Sequence, residues 1–295
     1  MKISEFYKKQ KSTISFEFFP PKTVEGEAKL FQTVTELKKL VPSFVSVTYG
    51  AMGNTQANTL RIVEEIKHKI GIEVAAHLTC VAHNRGEIER ILTTLHAKGI
   101  ENIIALRGDP PQSETQFKAP PDGFHHAAEL VRFIRRHPQL GKAFDLGVAG
   151  YPEGHPECRD KQKDLEYLKQ KVDEGADVVV TQLFFDNRHY FDFVKRARRI
   201  GIKVPIVPGI MPVTHGPQIE KFSRMCGAEI PQKIHEAITR FGEDQVSIMK
   251  FGVEYATRQS EELLQEGAPG LHFYTLNQSL ATCQIFANLH LARAA

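Results

Sequence analysis

The chain has 295 residues, of which 41% are hydrophobic and 19 are Phe, so it can bury a substantial core, which excludes wholesale disorder. Its 38 Lys and Arg against 35 Asp and Glu leave a formal net charge of +3 spread along the chain, which argues against a dedicated nucleic-acid-binding protein. The four cysteines are scattered without a CxxC pair, and the N-terminus has no secretory signal, which predicts a cytoplasmic globular protein with reduced thiols. The longest uncharged stretch, 267–292, is interrupted by Pro269 and several amides, so no membrane span is expected.

Short runs rich in Val, Ile, Phe or Tyr recur along the chain, each bounded by Gly, Pro or Asn, as is typical of buried parallel strands. They cover residues 15–19, 44–49, 74–80, 102–106, 145–150, 177–185, 204–210 and 270–276. Segments with helical periodicity separate them, such as Leu30, Val34, Leu37 and Leu40, or Ile88, Ile91, Leu92 and Leu95. Left-handed residues that end helices are expected at Gly99, Gly175 and Gly201.

Eight strand–helix alternations in a chain of this size predict a (β/α)8 barrel. A doubly wound open sheet also alternates in this way, but no GxGxxG follows the first strand, and the strand count is high for it. We expect residues 1–295 to form a single domain, with a long loop over 108–123 and added helices within 217–241.

Polar residues stand near the end of nearly every predicted strand, where barrel enzymes place their reactive groups. They are Glu17, Thr48, His77, Arg107, Asp109, Tyr151, Glu153, His155, Gln182, Tyr274 and Asn277.

Glu17 is the strongest catalytic candidate. Strand alternation directs Ser15, Glu17 and Phe19 into the barrel and Phe16 and Phe18 to the other face. A carboxylate among phenylalanines is desolvated, which predicts a raised pKa and a proton held near neutrality. The alternative is a structural Glu paired with an internal Arg or Lys; the first two strands offer no such partner, although other strands could supply one.

Asp109 follows a strand and precedes Pro110 and Pro111, which stiffen the loop and fix the direction of the carboxylate. A structural ion pair with Arg107 is an equally weighted alternative.

Two helical segments carry further clusters. Asp164, Tyr167 and Lys171 share one helix face, which the residues alone favour as a solvated face. Gln218 and Phe222 are four residues apart, so the ring either stacks on a flat ligand or belongs to the core.

The histidines do not predict a metal site, because His125, His126 and His155 lack HxxxH or HxH spacing beside a carboxylate. Cys158 and His155 do not form a convincing catalytic pair either.

Eight motifs in order carry a resemblance that spans residues 15–277: SFEFFPPKT, FVSVTYGAMG, AHLTC, ALRGDPP, YPEGHPE, VTQLFFD, PGIMPV and HFYTLN. The sequence resembles the short bacterial type of methylenetetrahydrofolate reductase. The resemblance implies a barrel that binds FAD and reduces 5,10-methylenetetrahydrofolate to 5-methyltetrahydrofolate with electrons from NADH or NADPH. It also implies a cytoplasmic homo-oligomer without a regulatory domain.

The resemblance further implies roles for individual residues. Glu17 matches the general acid that opens the substrate ring at N10, and Asp109 matches a catalytic residue that tunes the flavin and stabilises the cationic folate. The implied FAD contacts are Thr48, Tyr49, Ala51, His77, Arg107, Gly108, Asp109, His126, Tyr151, His155, Cys158, Asp164, Tyr167, Gln170 and Lys171. The implied substrate contacts are Glu17, Asp109, Gln182, Gln218, Phe222 and Gln278. Shared use of one flavin face implies ping-pong kinetics.

Three positions depart from the family pattern: His126 in place of Tyr, Gly216 in place of an aromatic, and Gln278 in place of Arg or Lys. Two other functions stay open, a non-catalytic flavin or folate carrier and a flavin-free barrel lyase that uses Glu17 as a base.

Overall fold

The computed structural model describes residues 1–49, 54–109, 117–158 and 160–289, without the side chains of 54–56. The described residues contain nine strands: β1 Thr13–Phe18, β2 Phe44–Val47, β3 Val74–Thr79, β4 Asn102–Leu106, β5 Asp145–Gly150, β6 Val178–Thr181, β7 Ile206–Val207, β8 Gly209–Ile210 and β9 Gly270–Tyr274.

All strand pairs are parallel, in the order β7-β6-β5-β4-β3-β2-β1-β9-β8. The two ends of this order, β7 and β8, are separated along the chain only by Pro208, so the sheet closes into a barrel and the predicted (β/α)8 fold is confirmed. The seventh predicted strand is split because Pro208 has no N–H to donate. Gly209 N donates instead to the Thr181 hydroxyl at 2.9 Å.

The helices are α1 Ile3–Lys9, α2 Val24–Lys38, α3 Asn54–Glu65 with a π-helical continuation Ile66–Ile70, α4 Arg85–Ala97, α5 Ala127–Arg136, α6 Lys161–Asp173, α7 Asn187–Arg199, α8 Gly216–Cys226, α9 Gln232–Phe241, α10 Gln245–Gln265 and α11 Leu280–Asn288. Helices α8 and α9 confirm the helices expected over 217–241. In the described part of the chain, none of the helices is both long and apolar enough to cross a bilayer.

The main core lies between the barrel and its surrounding helices, where Phe16 and Phe18 pack with Leu30 and Val34 of α2. The periodic residues of α4 are at most 2% exposed, as their spacing predicts: Ile88, Ile91, Leu92 and Leu95. The predicted left-handed helix ends are also confirmed, with φ of +69° at Gly99, +113° at Gly175 and +86° at Gly201.

Helix α1 covers the end of the barrel at which the strands begin. Ile3 is fully buried with Phe44, and its N–H donates to Asn102 Oδ1 at 2.8 Å at the start of β4. Ser4 N donates to Asp145 Oδ2 at 2.8 Å at the start of β5. Since this end is filled, the carboxyl ends of the strands remain as the face for ligands.

Candidate active site

Glu17 enters the barrel near the end of β1 and meets polar groups from three other strands. Its Oε2 lies 3.2 Å from Nε2 of His77 on β3 and 3.4 Å from Nε2 of His272 on β9. The Ser46 hydroxyl on β2 donates to the same oxygen at 3.3 Å. Nε2 of His77 has no hydrogen-bond partner in the described residues, so its contact with Glu17 is electrostatic rather than a hydrogen bond.

His272 extends this cluster to Ser15, since its Nδ1 lies 2.8 Å from the Ser15 hydroxyl. Both residues are at most 2% exposed. Ser15, His272 and Glu17 therefore form a continuous hydrogen-bonded chain inside the barrel. Sequence reasoning missed His272, although alternation on β9 places it on the same face as Tyr274.

The expectation of a raised pKa for Glu17 is wrong. Burial by itself raises the pKa of this carboxyl, but the attraction of the His77 and His272 rings outweighs burial, and the net pKa is below its ordinary value of 4.5. The carboxylate form of Glu17 is therefore favoured, and its internal partners are two histidines rather than the Arg or Lys of the alternative. Both partners come from later strands.

The surroundings expected for Glu17 are also corrected. Phe16 and Phe18 face the helices, as alternation predicts, with Phe16 packing on Phe286 of α11 at a centroid distance of 5.8 Å. Phe19 is 43% exposed beyond the end of the strand. The carboxylate therefore contacts imidazoles and a hydroxyl rather than benzyl rings.

Tyr274 lies next to this chain of groups, and its hydroxyl donates to the carbonyl oxygen of Thr181 at 2.6 Å. Burial raises the pKa of Tyr274, and the nearby Glu17 and Tyr151 raise it further. Tyr274 is thus close to both Glu17 and Tyr151, so it connects the carboxylate to the residues after β5.

Arg107 does not pair with Asp109, so the equally weighted alternative of a structural pair is wrong. Its guanidinium makes two 2.6 Å hydrogen bonds to Glu157 and lies 5.2 Å from the centre of the Phe117 ring. Asp109 is exposed at the mouth, near enough to Tyr151 that its charge raises the tyrosine pKa after the larger effect of burial. Pro110 and Pro111 lie outside the described residues.

Tyr151 and His155 face each other after β5, with ring centroids 4.5 Å apart in an edge-on arrangement. Burial lowers the pKa of His155, and the ring lies near Glu157, Asp164 and Lys171. These contacts join the residues after β5 to one face of α6.

The α6 face is solvated only in part, since Asp164 and Lys171 are half-buried and Tyr167 is exposed. The ammonium of Lys171 is buried and donates to the Ala149 carbonyl oxygen at 2.5 Å, and burial lowers its pKa to about 8. Burial also raises the pKa of Asp164, against the attraction of Lys171. Tyr167 is 44% exposed at the rim, and Gln170 is exposed.

His126 and Tyr167 form a second feature of this rim. Their rings are nearly parallel, at an interplanar angle of 11°, with centroids 6.5 Å apart. Centroid distances of about 4.5–7 Å are typical of offset-stacked rings, so these two rings form an offset pair. Both side chains are exposed at the rim.

The remaining predicted cofactor residues lie around the same mouth. Tyr49 hydrogen-bonds His83 at 2.8 Å, and Thr48 directly follows β2, where its carbonyl accepts from Thr59. Gly108 has φ +85°, and a Cβ there would meet Val81 Cγ1 at 2.7 Å. Cys158 donates to the Asp160 carbonyl at 3.4 Å. Ala51 lies outside the described residues.

The predicted substrate residues are placed less closely together. Gln182 directly follows β6 and accepts from Leu183 N at 2.8 Å. Gln218 is half-buried on α8. Phe222 on the same helix packs against the hydrophobic cluster around Ile219, which favours the alternative that this ring belongs to the core. Gln278 is exposed beyond β9.

Comparison with known proteins gives three similarities. A protein from Pectobacterium carotovorum subsp. carotovorum named 5,10-methylenetetrahydrofolate reductase is 40% identical over 266 residues, 90% of this chain and 86% of the relative. One from Arabidopsis thaliana named methylenetetrahydrofolate reductase (NADH) 1 is 38% identical over 98% of this chain, which spans 50% of that relative's length. A Clostridium thermocellum protein described as binding two copies of 5-methyl-5,6,7,8-tetrahydrofolic acid shares the fold, with a TM-score of 0.62, 12% identity and 97% of each chain covered.

The profile of the family described as methylenetetrahydrofolate reductase matches residues 2–290, nearly the whole chain. With this match and the 40% identity to the bacterial relative, the chain belongs to the methylenetetrahydrofolate reductase family.

Proposed function

We propose that this protein reduces 5,10-methylenetetrahydrofolate to 5-methyltetrahydrofolate, with FAD as cofactor and NADH or NADPH as electron donor. The observation that carries the proposal is the partly buried Glu17 carboxylate with His77 and His272 beside it, at the ligand-facing end of a barrel of this family. The names of the bacterial and plant relatives support the folate reaction, and the plant name supports NADH.

Several features of the mouth suit FAD. The exposed rings of His126 and Tyr167 would offer a flat surface on which a heterocycle such as adenine stacks. The buried ammonium of Lys171 provides positive charge for a diphosphate. The Thr79 hydroxyl at the end of β3 is buried without a hydrogen-bond partner in the described residues, and the missing side chain of Gly108 lets its backbone pack against Thr79 and Val81. When bound there, FAD would supply the hydride that the folate reduction requires.

Glu17 is proposed to deliver the proton that opens the substrate ring at N10. The lowered pKa means that the carboxylate does not store this proton itself in the ligand-free protein. The His272 imidazole can carry it, because its Nε2 lies within hydrogen-bonding distance of the carboxylate oxygen, at 3.4 Å. Proton transfer from imidazole to Glu17 and then to N10 leaves an anion beside the cationic ring-opened folate, which stabilises that cation.

The Ser15 hydroxyl fixes the orientation of the His272 ring through its 2.8 Å contact with Nδ1. The other ring nitrogen is thereby directed at Glu17. His272 is thus a positioning residue and a proton carrier in this proposal.

The substrate contacts rest on the family resemblance. Asp109 would place negative charge near the folate and the cofactor, and Gln182, Gln218 and Gln278 would donate or accept hydrogen bonds at the folate. Phe222 would stack on the folate and on the nicotinamide in turn, which requires ping-pong kinetics. The single domain over 1–295, the cytoplasmic location and the homo-oligomer belong to the same proposal.

The test is an anaerobic titration of the purified full chain reconstituted with FAD. The proposal expects one FAD per chain, bleaching by NADH or NADPH, and recovery of the oxidised spectrum with formation of 5-methyltetrahydrofolate when methylenetetrahydrofolate is added. Binding of FAD without bleaching by either nicotinamide would favour a carrier. Failure to bind FAD at all would favour the flavin-free lyase and contradict the proposal.

A further inference from the structure

We propose that Glu153, His189 and Glu229 form a binding site for one divalent transition-metal ion of the Zn²⁺ class. Ligand atoms of the three side chains all lie within 4.8 Å of one another. The residues come from three separate elements: Glu153 from the segment after β5, His189 from the first turn of α7, and Glu229 from the segment between α8 and α9.

Two of the three distances between the ligand atoms are close to those of a metal-bound site. Nε2 of His189 lies 3.7 Å from Oε2 of Glu153 and 3.8 Å from Oε2 of Glu229. Ligands at 2.0–2.2 Å from a tetrahedral ion lie roughly 3.3–3.6 Å from each other, so a contraction of a few tenths of an ångström suffices for these two pairs. The Glu229 side chain is 75% exposed and is free to make this movement.

A second observation at Glu153 points to a bound cation. Its side chain is 11% exposed, yet its Oε1 is buried without a hydrogen-bond partner in the described residues. The other oxygen, Oε2, is the one measured to His189, and it accepts from Glu229 N at 2.9 Å. A buried carboxylate oxygen without a donor is unfavourable, and a cation bound by both oxygens of this carboxylate would satisfy Oε1.

The donor set selects the kind of ion. One imidazole nitrogen with two carboxylate oxygens suits Zn²⁺, whereas Mg²⁺ and Ca²⁺ favour oxygen ligands alone. Three protein ligands leave a fourth position for water. The competing interpretation is a protonated His189 held between two carboxylates without a metal, which is an ordinary ion-pair cluster.

A metal here would join two parts of the proposed active site. Glu153 lies between Tyr151 and His155, and Glu229 follows α8, which carries Gln218 and Phe222. Gly227, at the end of α8, already lies against this segment, since a Cβ there would meet Pro156 Cγ at 3.3 Å. The ion would therefore fix the segment after β5 against the helix proposed to contact the folate. This role goes beyond the proposed reaction and does not require it.

The experiment is a zinc titration of the chelator-treated full chain against a chromophoric competitor, with thermal unfolding recorded with and without Zn²⁺. We expect one ion per chain at micromolar zinc, and a rise in melting temperature, because the ion binds the folded state. The variants are H189Q and E229Q, whose side chains are 29% and 75% exposed, so their folds should persist. Both should lose one bound ion per chain or bind it at least about tenfold more weakly.

The matched control is H235Q, which removes an exposed imidazole from the neighbouring helix α9 and should leave zinc affinity unchanged. Each variant is compared with chelator-treated wild type by melting temperature, which separates lost binding from lost folding. The proposal is overturned if wild type binds no zinc at micromolar concentration, or if H189Q binds it as tightly as wild type.

Discussion

Lys171 offers a quantitative test, because a buried cation kept for ligand binding should destabilise the ligand-free protein. Burial lowers the pKa of its ammonium from 10.5 to about 8, and this difference corresponds to about 3 kcal/mol of unfavourable free energy at neutral pH. Lys171→Met removes this cost but leaves the Ala149 carbonyl oxygen without its donor, which costs about 1 kcal/mol. The variant should therefore be more stable than wild type by about 2 kcal/mol at pH 7.

The pH dependence has a definite sign. Between pH 8 and 10.5 the unfolded chain keeps a proton on Lys171 that the folded protein has released, so wild type gains stability relative to the variant as pH rises through this range. The measurement is urea unfolding of the FAD-free proteins at pH 7 and pH 10. The control Lys169→Met removes a partly exposed Lys on the same helix that pairs with Asp173, and it should change stability by less than about 1 kcal/mol.

The same variant tests the role in FAD binding. Loss of a charge-assisted hydrogen bond to a phosphate should weaken FAD binding about 10- to 100-fold in Lys171→Met. The wild-type affinity should fall as pH rises above about 8, where the amine of the FAD-free protein loses its charge, and this dependence should disappear in the variant. A variant that is less stable than wild type at pH 7, or that binds FAD equally well, would refute the reasoning.

Three further substitutions address the site. His272→Asn should slow folate reduction about tenfold or more and alter its pH profile, whereas NADH oxidation with an artificial quinone should stay near the wild-type rate in stopped-flow traces. An equal loss in both reactions would contradict the proposed role of His272. Gly108→Ala should cost at least about 1 kcal/mol more than Gly267→Ala in urea unfolding, because φ is +85° and +87° at the two sites but a Cβ has space only at Gly267. Equal costs would contradict this. Asp109→Asn should raise the flavin midpoint potential by tens of millivolts, since a nearby negative charge disfavours the anionic reduced flavin. An unchanged potential in spectroelectrochemistry would show that Asp109 does not tune the flavin.

The fold could be predicted from the sequence because its signal is local. Apolar runs bounded by turn residues give the strands, and the spacing of residues such as Ile88 and Leu92 gives the helices. The break at Pro208 could have been predicted from that residue, which has no N–H for the ladder, whereas the hydrophobicity of the run 204–210 alone indicates one continuous strand.

The surroundings of Glu17 could not be predicted in the same way. Alternation correctly sends its side chain into the barrel, but the groups that face it there come from His77 and His272, on strands far along the chain. Their attraction reverses the direction of the pKa shift that burial alone would give. Lys171 shows a related limit, because helical spacing gives the face on which a residue lies and not the depth at which its charge is placed.

The cluster of Glu153, His189 and Glu229 has no sequence motif at all. Its three residues lie on separate parts of the chain that only the closed barrel brings together. A search for HxxxH or HxH spacing therefore does not detect them.

The central claim is that Glu17 delivers the proton for folate ring opening, and the oxidative half-reaction of Glu17→Gln tests it most directly. The FAD-loaded variant is first reduced anaerobically with NADH or NADPH and then mixed with methylenetetrahydrofolate in a stopped-flow instrument. The account predicts reduction at a rate close to wild type, followed by reoxidation at least about 100-fold slower than wild type. Reoxidation by the folate within tenfold of the wild-type rate would contradict the account.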